Sequence, residues 1–270
     1  MSLDRVLVQK SRITAVALVA FVLPILCWFG AATAVPDVRT IYLVPSDRPV
    51  RLDYENAVAD AIQAIQSWYG EQLGGRTFTL HDPIVETFVT PHASSFYAMD
   101  RGFSSSFFSS AVSDGFEATR GGFNDPNHIF AFYIDAQVPA GQVIGGTSGV
   151  ALLAANDLLG LTGQAVPGDD GGIDRWIGGL GHELGHALGL PHPPGCEAGL
   201  STCPTDALMW LGFRTWPDTF LLPDDIRTLE GSSFINSDIG AVPEPATLLL
   251  WGTTMTGLGL TARWRRRRQT

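Results

Sequence analysis

The sequence Gly-His-Glu-Leu-Gly-His-Ala-Leu-Gly-Leu-Pro-His occupies residues 181–192. His182 and His186 are four residues apart, so on a helix both imidazoles project from one face and can bind one metal ion. Glu183 is rotated off that face, where its carboxylate can reach a water on the metal without binding the metal itself. The spacing therefore predicts a helix that carries a metal site.

The third histidine of this stretch, His192, can join the site only if the helix ends before it. A helix continued past Leu188 would point His192 away from the other two imidazoles. Gly189 can adopt the left-handed conformation that ends a helix, and it would turn the chain back toward the metal. Three histidines with an open fourth position are typical of catalytic zinc sites, whereas structural zinc sites use four protein ligands.

The fixed positions His182, Glu183, His186, Gly189 and His192 resemble the metal motif of the metzincin metalloendopeptidases. From the composition of the chain, this pattern would arise by accident with odds on the order of 1 in 100,000. The resemblance implies that the three histidines hold Zn²⁺ and that the glutamate acts as general base. It further implies that the substrate is a protein or peptide whose peptide bonds are hydrolysed.

The metzincin resemblance also implies an α+β fold. A twisted mixed β-sheet and two helices would form the N-terminal part, with the metal motif on the second helix, and a small irregular C-terminal part would hold one helix. Metzincins have a methionine-containing turn beneath the metal, and Met209 in Ala-Leu-Met-Trp is the candidate here; an ordinary core methionine is the alternative. Several metzincins place a tyrosine two residues later, where this chain has Leu211.

Apolar periodicity predicts the elements around the motif. The helical spacing of apolar residues 58–73 predicts a long helix, with Asp53 as its cap and Gly74-Gly75 as its end. Strands are predicted at residues 38–44, 77–80, 84–90, 128–134 and 150–154, and further helices at residues 107–118 and 223–229.

One predicted strand consists of Val150, Ala151, Leu152, Leu153 and Ala154 and precedes the metal motif. The metzincin resemblance implies an edge strand at this place, which would bind extended substrate by backbone pairing. The glycines before it would let a substrate approach closely. The alternative is a core strand with no substrate contact.

Cys196 and Cys203 are the only cysteines outside the N-terminal segment. In an oxidising compartment we expect them to form a short-loop disulfide; two free thiols are the alternative. Satisfied structural histidines are expected at three further positions: His81, His92 and His128.

An aspartate-rich loop precedes the metal motif. Asp169, Asp170 and Asp174 offer oxygen ligands that would suit Ca²⁺. A solvated loop in which Asp174 caps the following helix is the simpler alternative.

Residues 1–34 have the features of a signal peptide: a basic start, an apolar run and a small-residue end, Ala32-Thr33-Ala34. An uncleaved N-terminal anchor is the alternative. The predicted catalytic domain then covers residues 35–240. It lies outside the cytoplasm in either case, and the export machinery is an expected partner.

Residues 241–270 contain Pro-Glu-Pro, a short apolar span and an arginine cluster. This order resembles the PEP-CTERM sorting signal of Gram-negative bacteria, which implies processing by an exosortase at the cell surface and membrane contact through this segment beforehand. An ordinary single-span anchor is the alternative.

Charge excludes some functions. The chain has 270 residues and a formal charge of -10, but residues 35–240 hold nine basic and twenty-five acidic residues, so their charge is about -16. A general nucleic-acid binder needs clustered Lys and Arg, which this segment lacks. An intramembrane metalloprotease needs a long apolar stretch around the motif, and the flanking charges interrupt it.

A catalytically inactive surface or extracellular-matrix protein that retains a structural zinc site is the alternative, although such a site has no use for Glu183.

Overall fold

The computed structural model describes residues 35–99, 106–164, 168 and 171–236. The predicted signal peptide, the predicted sorting segment and two of the proposed calcium ligands, Asp169 and Asp170, lie outside these residues. Among the helices that are described, none is long and apolar enough to cross a membrane.

Six strands form one twisted, mixed sheet in the order β4-β5-β3-β1-β2-β6. They are β1 (Asp37–Val44), β2 (Thr77–Val89), β3 (His128–Ile134), β4 (Gly145–Thr147), β5 (Val150–Leu153) and β6 (Ile235–Asn236). β1, β2, β3 and β5 run parallel, whereas β4 is antiparallel to β5 and β6 is antiparallel to β2. The α+β fold with a mixed sheet is as predicted.

Helices cover both faces of this sheet. They are α1 (Leu52–Gln72), α2 (Ser94–Tyr97), α3 (Phe107–Thr119), α4 (Ala155–Leu161), α5 (Gly172–Ala187) and α6 (Pro223–Glu230). α1 and α5 share one hydrophobic core with Val38 and Tyr42 of β1. α3 shares a second core, on the opposite face, with Ile41 and Leu43. Successive residues of a strand point to opposite faces, so each central strand contributes to both cores.

The helix count differs from the prediction in the N-terminal part. α1 and the motif helix α5 are the two expected helices, but α2, α3 and α4 are also present, of which only α3 had a sequence signal. Among the described residues after the metal motif, the chain is irregular up to the one helix α6, apart from a 3-10 turn at Gly212–Arg214.

Two predicted helix caps are wrong. α1 begins two residues earlier than expected, with Arg51 at the N-cap position, and Asp53 forms an ion pair with Arg51 instead of capping. α5 is capped at Gly171, so Asp174 lies in its first turn, where a negative charge still favours the positive end of the helix dipole.

β2 is one irregular strand where two were predicted. Val38 of β1 pairs with Leu80, but Thr40 pairs with Val85, so β2 carries extra residues opposite Arg39 and then resumes its pairing. Such a bulge bends a strand without ending it. The Asp-Pro pair at residues 82–83 lies within this bulge.

The predicted edge strand is an interior strand. Residues 150–153 pair with β3 on one side and with β4 on the other, and their side chains are buried. Ala154 follows the strand as the N-cap residue of α4. The chain folds back tightly between Thr147 and Val150, which adds β4 as the last strand of the sheet. The edge prediction for Val150, Ala151, Leu152, Leu153 and Ala154 is therefore wrong, and Gly145–Thr147 forms the edge.

Close packing holds α5 in place. A Cβ atom at Gly185 would overlap the sulfur of Met209 and would lie 3.1 Å from the Tyr69 hydroxyl oxygen. Tyr69 of α1 donates a hydrogen bond of 3.0 Å to the carbonyl oxygen of Gly181. The glycines in this helix thus lower its intrinsic helix propensity but permit its neighbours to approach closely.

We expect Gly185→Ala to destabilise the fold by about 1–3 kcal/mol, because the added methyl group overpacks a filled core. Gly179→Ala on the same helix is the matched control: its Cβ would meet only a guanidinium nitrogen of Arg175 at 3.4 Å. We expect this control to gain about 0.5–1 kcal/mol from helix propensity. Urea unfolding of both variants measures the difference, and equal stability would contradict the packing argument.

Candidate metal centre

The third histidine is brought back by the end of α5. Gly189 has a φ of 95°, the left-handed conformation expected from the sequence. The N–H of Leu190 donates to the carbonyl oxygen of Gly185 at 2.9 Å, and the N–H of Gly189 donates to that of His186 at 3.0 Å. This glycine-based helix end satisfies backbone carbonyls that would otherwise lack partners, and it directs His192 toward the helix.

The three imidazoles converge through their Nε2 atoms. Nε2 of His186 lies 3.1 Å from Nε2 of His182 and 3.0 Å from Nε2 of His192. All three residues offer a ring nitrogen within the reach of one metal ion. The spacing prediction for these histidines agrees with this geometry.

Each imidazole is fixed by a hydrogen bond from its other nitrogen. His182 Nδ1 donates to the carbonyl oxygen of Leu208 at 2.7 Å, and His186 Nδ1 donates to that of Leu190 at 2.8 Å. His192 Nδ1 donates to the carboxylate of Glu197 at 3.0 Å. A neutral imidazole carries one N–H, so these acceptors place the proton on Nδ1 and leave the Nε2 lone pair for a metal.

Burial favours the neutral form of two of these histidines. It lowers the pKa of His182 to about 4, against a smaller opposing effect of the Leu208 hydrogen bond. Burial also lowers the pKa of His186. Neutral imidazole is the form that binds metals, so both groups are ready to bind at neutral pH.

Glu183 is enclosed next to this cluster. Burial raises the pKa of its carboxyl to about 7, and the negative charge of Asp157 adds to the rise. The N–H of Gly146 donates a hydrogen bond to the carboxylate, which opposes this shift. Edge strand β4 therefore lies directly on the functional face of α5, and a Cβ at Gly146 would overlap the Glu183 backbone.

The methionine turn lies beneath the histidines. Met209 is fully buried against Gly185, between the two helical ligands, and it packs against the site without offering a metal ligand. The ring of Trp210 is 5.2 Å from that of His192, and the ring of Phe213 is 5.3 Å from that of His182. These edge contacts restrict the rotation of both imidazoles.

A disulfide joins Cys196 and Cys203, as predicted. It closes the short loop that contains Glu197, the residue that accepts the hydrogen bond from His192. The pairing thus restrains a loop that supports the third histidine.

A cavity of about 420 Å³ opens beside Glu183 and His182. Its wall includes the aromatic rings of Trp176 and Phe213. Its polar lining comes from Asn156, Asp157 and Arg175.

The donor set fits Zn²⁺. Three imidazole Nε2 atoms face one point, and each ring is oriented by a hydrogen bond from its Nδ1 atom. The carboxylate of Glu183, which is not a ligand, lies next to them. This combination is typical of zinc sites with an open coordination position. Calcium and magnesium prefer carboxylate and carbonyl oxygen ligands, whereas His182, His186 and His192 offer only nitrogen.

The sequence matches no protein-family model. No curated protein matches it significantly. Solved structures do match. Wild-type OgpA from Akkermansia muciniphila aligns with a TM-score of 0.53 and 19% identity, over 77% of this chain and 63% of OgpA.

Over the aligned region, the fold of this chain is similar to that of OgpA.

A second OgpA structure, catalytically inactive and in complex with an O-glycopeptide substrate, aligns with a TM-score of 0.52 and 18% identity, again over 77% of this chain and 63% of OgpA. The chain therefore spans less than two thirds of the length of OgpA. Archaemetzincin from Methanopyrus kandleri aligns with a TM-score of 0.41 and 17% identity, over 71% of this chain and 93% of its own.

Sequence reasoning missed several residues of this site. The carbonyl acceptors Leu190 and Leu208 carry no sequence signal, because any residue supplies a backbone oxygen. Glu197 could have been noticed as an acidic residue five positions after His192, inside the cysteine-bounded loop. Asp157 is brought to the site by α4, a short helix without a predictive pattern.

We expect Glu197→Ala to weaken Zn²⁺ binding by roughly 10- to 100-fold, because His192 loses the group that orients its ring. Glu197→Gln keeps an acceptor oxygen and should recover most of the affinity. Competition with a chromogenic chelator measures the zinc affinity of the purified chain. Glu117→Ala, which removes an exposed carboxylate from α3, is the charge control. A full wild-type affinity for Glu197→Ala would contradict the orienting role.

Proposed function

We propose that the chain is a zinc-dependent metalloendopeptidase. The observation that carries this proposal is the placement of three inward-facing imidazole nitrogens next to a buried carboxylate that is not one of the ligands. A metal site that only binds has no need for an enclosed acid beside it, so Glu183 favours catalysis over a purely structural zinc site.

The side chains of the site would have separate roles in hydrolysis. His182, His186 and His192 would hold Zn²⁺, which when bound acts as a Lewis acid toward water and the scissile carbonyl. Glu183 accepts a proton from the attacking water and returns it to the leaving amine nitrogen. The Gly146 N–H orients the carboxylate for this transfer.

Edge strand β4 supports the binding of an extended peptide. Gly145–Thr147 pairs with β5 on one side. In the part of the chain that the structure describes, no strand pairs with its other side, which therefore presents backbone groups to a partner strand. The strand also contacts Glu183 through Gly146, which would bring a paired peptide close to the general base. We propose β-strand addition to β4 as the mode of substrate binding.

The cavity beside Glu183 would receive a substrate side chain. Its aromatic wall suits apolar groups, and Asn156, Asp157 and Arg175 can form hydrogen bonds with hydroxyl groups. Since OgpA has been captured with an O-glycopeptide, the substrates to be tested should include peptides with and without an O-linked sugar.

We expect Glu183→Ala to lower kcat by about 10²–10⁴-fold, because the general base is lost while the metal ligands remain. Cleavage of an unfolded protein and of the peptide set, with bound zinc measured in parallel, checks this result in the purified full-length chain. Equal cleavage by wild type and Glu183→Ala would sink the mechanism. Zinc binding without cleavage by the wild type would favour the inactive surface-protein alternative.

Two controls accompany this assay. Glu117→Ala removes an exposed carboxylate on α3 and should leave cleavage unchanged. Peptides with an N-methyl group at single positions around the scissile bond should show a raised KM where the N–H pairs with β4. Identical KM values along the whole N-methyl series would contradict substrate pairing.

We also propose that residues 1–34 direct export and that residues 241–270 are a sorting signal, which would place the enzyme at the surface of a Gram-negative cell. The proposal rests on the order of basic, apolar and small residues at the first end and on Pro-Glu-Pro, apolar span and arginines at the other. Intact-mass analysis of the chain from an exosortase-containing host should show loss of both segments. Retention of residues 241–270 would instead support a plain anchor.

A further inference from the structure

A second cluster of metal-binding side chains lies at the beginning of the central strands. Asp37 opens β1 and is paired in register with His128, which opens β3. On the other side of β1, the bulge in β2 brings in His81. Three neighbouring strands thus contribute one side chain each.

The two imidazoles converge on one carboxylate. His81 Nδ1 is 2.8 Å from Oδ2 of Asp37, and His128 Nδ1 is 2.6 Å from Oδ1 of the same group. The three ligand atoms lie within 4.8 Å of one another. The imidazole rings are nearly perpendicular, with centroids 5.7 Å apart, so both present a nitrogen to the carboxylate without stacking on each other.

This cluster is separate from the catalytic site. Side chains alternate along a strand, so Asp37 points to the same face of the sheet as Ile41, the face covered by α3. His128 shares that face with Phe130. α5, which carries the catalytic histidines, packs on the opposite face.

The surroundings of the cluster suit a cation. The positive charge of Arg39, a neighbour of Asp37 on this face, is balanced by its ion pair with Glu86. The negative charges of Asp37 and Asp125 also act on Arg39 and raise its pKa, although the Glu86 hydrogen bond is the largest cause. With neutral histidines, these four charged side chains leave an excess of about two negative charges near the cluster.

The cluster is accessible. The His81, His128 and Asp37 side chains are 26%, 28% and 15% exposed, so an ion could reach them from solvent without opening the core. Backbone pairing fixes the spacing of Asp37 and His128, and His81 directly follows Leu80, which pairs with Val38, so little entropy is lost in assembling the ligands.

We propose that Asp37, His81 and His128 form a second binding site for a divalent transition-metal ion of the Zn²⁺ class, linking β1, β2 and β3. Two imidazoles and one carboxylate are ligands that Zn²⁺ accepts in four-coordinate sites, and water would complete the coordination. This site does not depend on the proposed peptidase activity.

His92 provides a matched comparison. Its Nδ1 lies 2.9 Å from the carboxylate of Asp114, much like the distances in the cluster, but the ring stacks on Phe96 and no second histidine joins this carboxylate in the part of the chain described by the structure. His92→Gln therefore removes a histidine–aspartate hydrogen bond without removing a three-ligand site.

The experiment counts zinc in the purified full-length chain. The protein is stripped with chelator, reloaded with Zn²⁺, passed through a desalting column and analysed for bound metal. We expect two equivalents for wild type and for His92→Gln, one for His128→Gln, one for His186→Ala, and none for the double variant His128→Gln/His186→Ala. His81→Gln repeats the test at a second ligand.

Melting temperatures measured with and without Zn²⁺ control for folding. In the His186→Ala background, Zn²⁺ should raise the melting temperature, and the added His128→Gln should abolish this rise. One equivalent in wild type, or two in His128→Gln and His81→Gln, would overturn the proposal. A lower melting temperature for His128→Gln in chelator, with unchanged zinc content, would show that the cluster only forms hydrogen bonds and would overturn it as well.

Discussion

Three hydrogen bonds at the Nδ1 atoms of His182, His186 and His192 determine what this site can do. Each one fixes a ring and its tautomer, and together they turn three lone pairs toward one point, with neighbouring Nε2 atoms 3.0–3.1 Å apart. Two lone pairs at that distance repel each other unless a cation lies between them. The protein scaffold therefore favours metal binding through the same bonds that orient the imidazoles.

The acceptors of these bonds come from three separate chain segments, and this explains the packing around α5. Leu190 follows the helix end, Leu208 belongs to the methionine turn, and Glu197 lies in the disulfide loop. For Leu208 to reach His182, the turn must pass directly beneath the helix, where a side chain at Gly185 would obstruct Met209. The glycine content of α5 is thus a requirement of the metal site and not a weakness of the helix.

Local signals in the sequence were enough to predict the ligands and most of the framework. The spacing of the histidines, the left-handed Gly189 and the periodicity of α1 depend on residues within one or two helical turns. The edge of the sheet could not be predicted in this way. β4 has only three residues, Gly-Gly-Thr, and lacks the β-branched pattern of a strand; it forms because the chain folds back along β5. The buried run at residues 150–153, by contrast, has strong strand propensity, which a paired interior position also explains.

The described region has a large excess of negative charge. At least four of the eight arginines in the described region form ion pairs: Arg39 with Glu86, Arg51 with Asp53, Arg76 with Glu230 and Arg227 with Asp224. Residues 35–240 contain no lysine and carry a charge of about -16, so these pairs leave most carboxylates uncompensated. A field of that sign raises the local concentration of cations and repels polyanions. It favours metal uptake at His182, His186 and His192. Salt screens charges beyond about 10 Å, so at the Asp37 cluster the nearby carboxylates of Asp125 and Glu86 act in the same direction more than distant ones do.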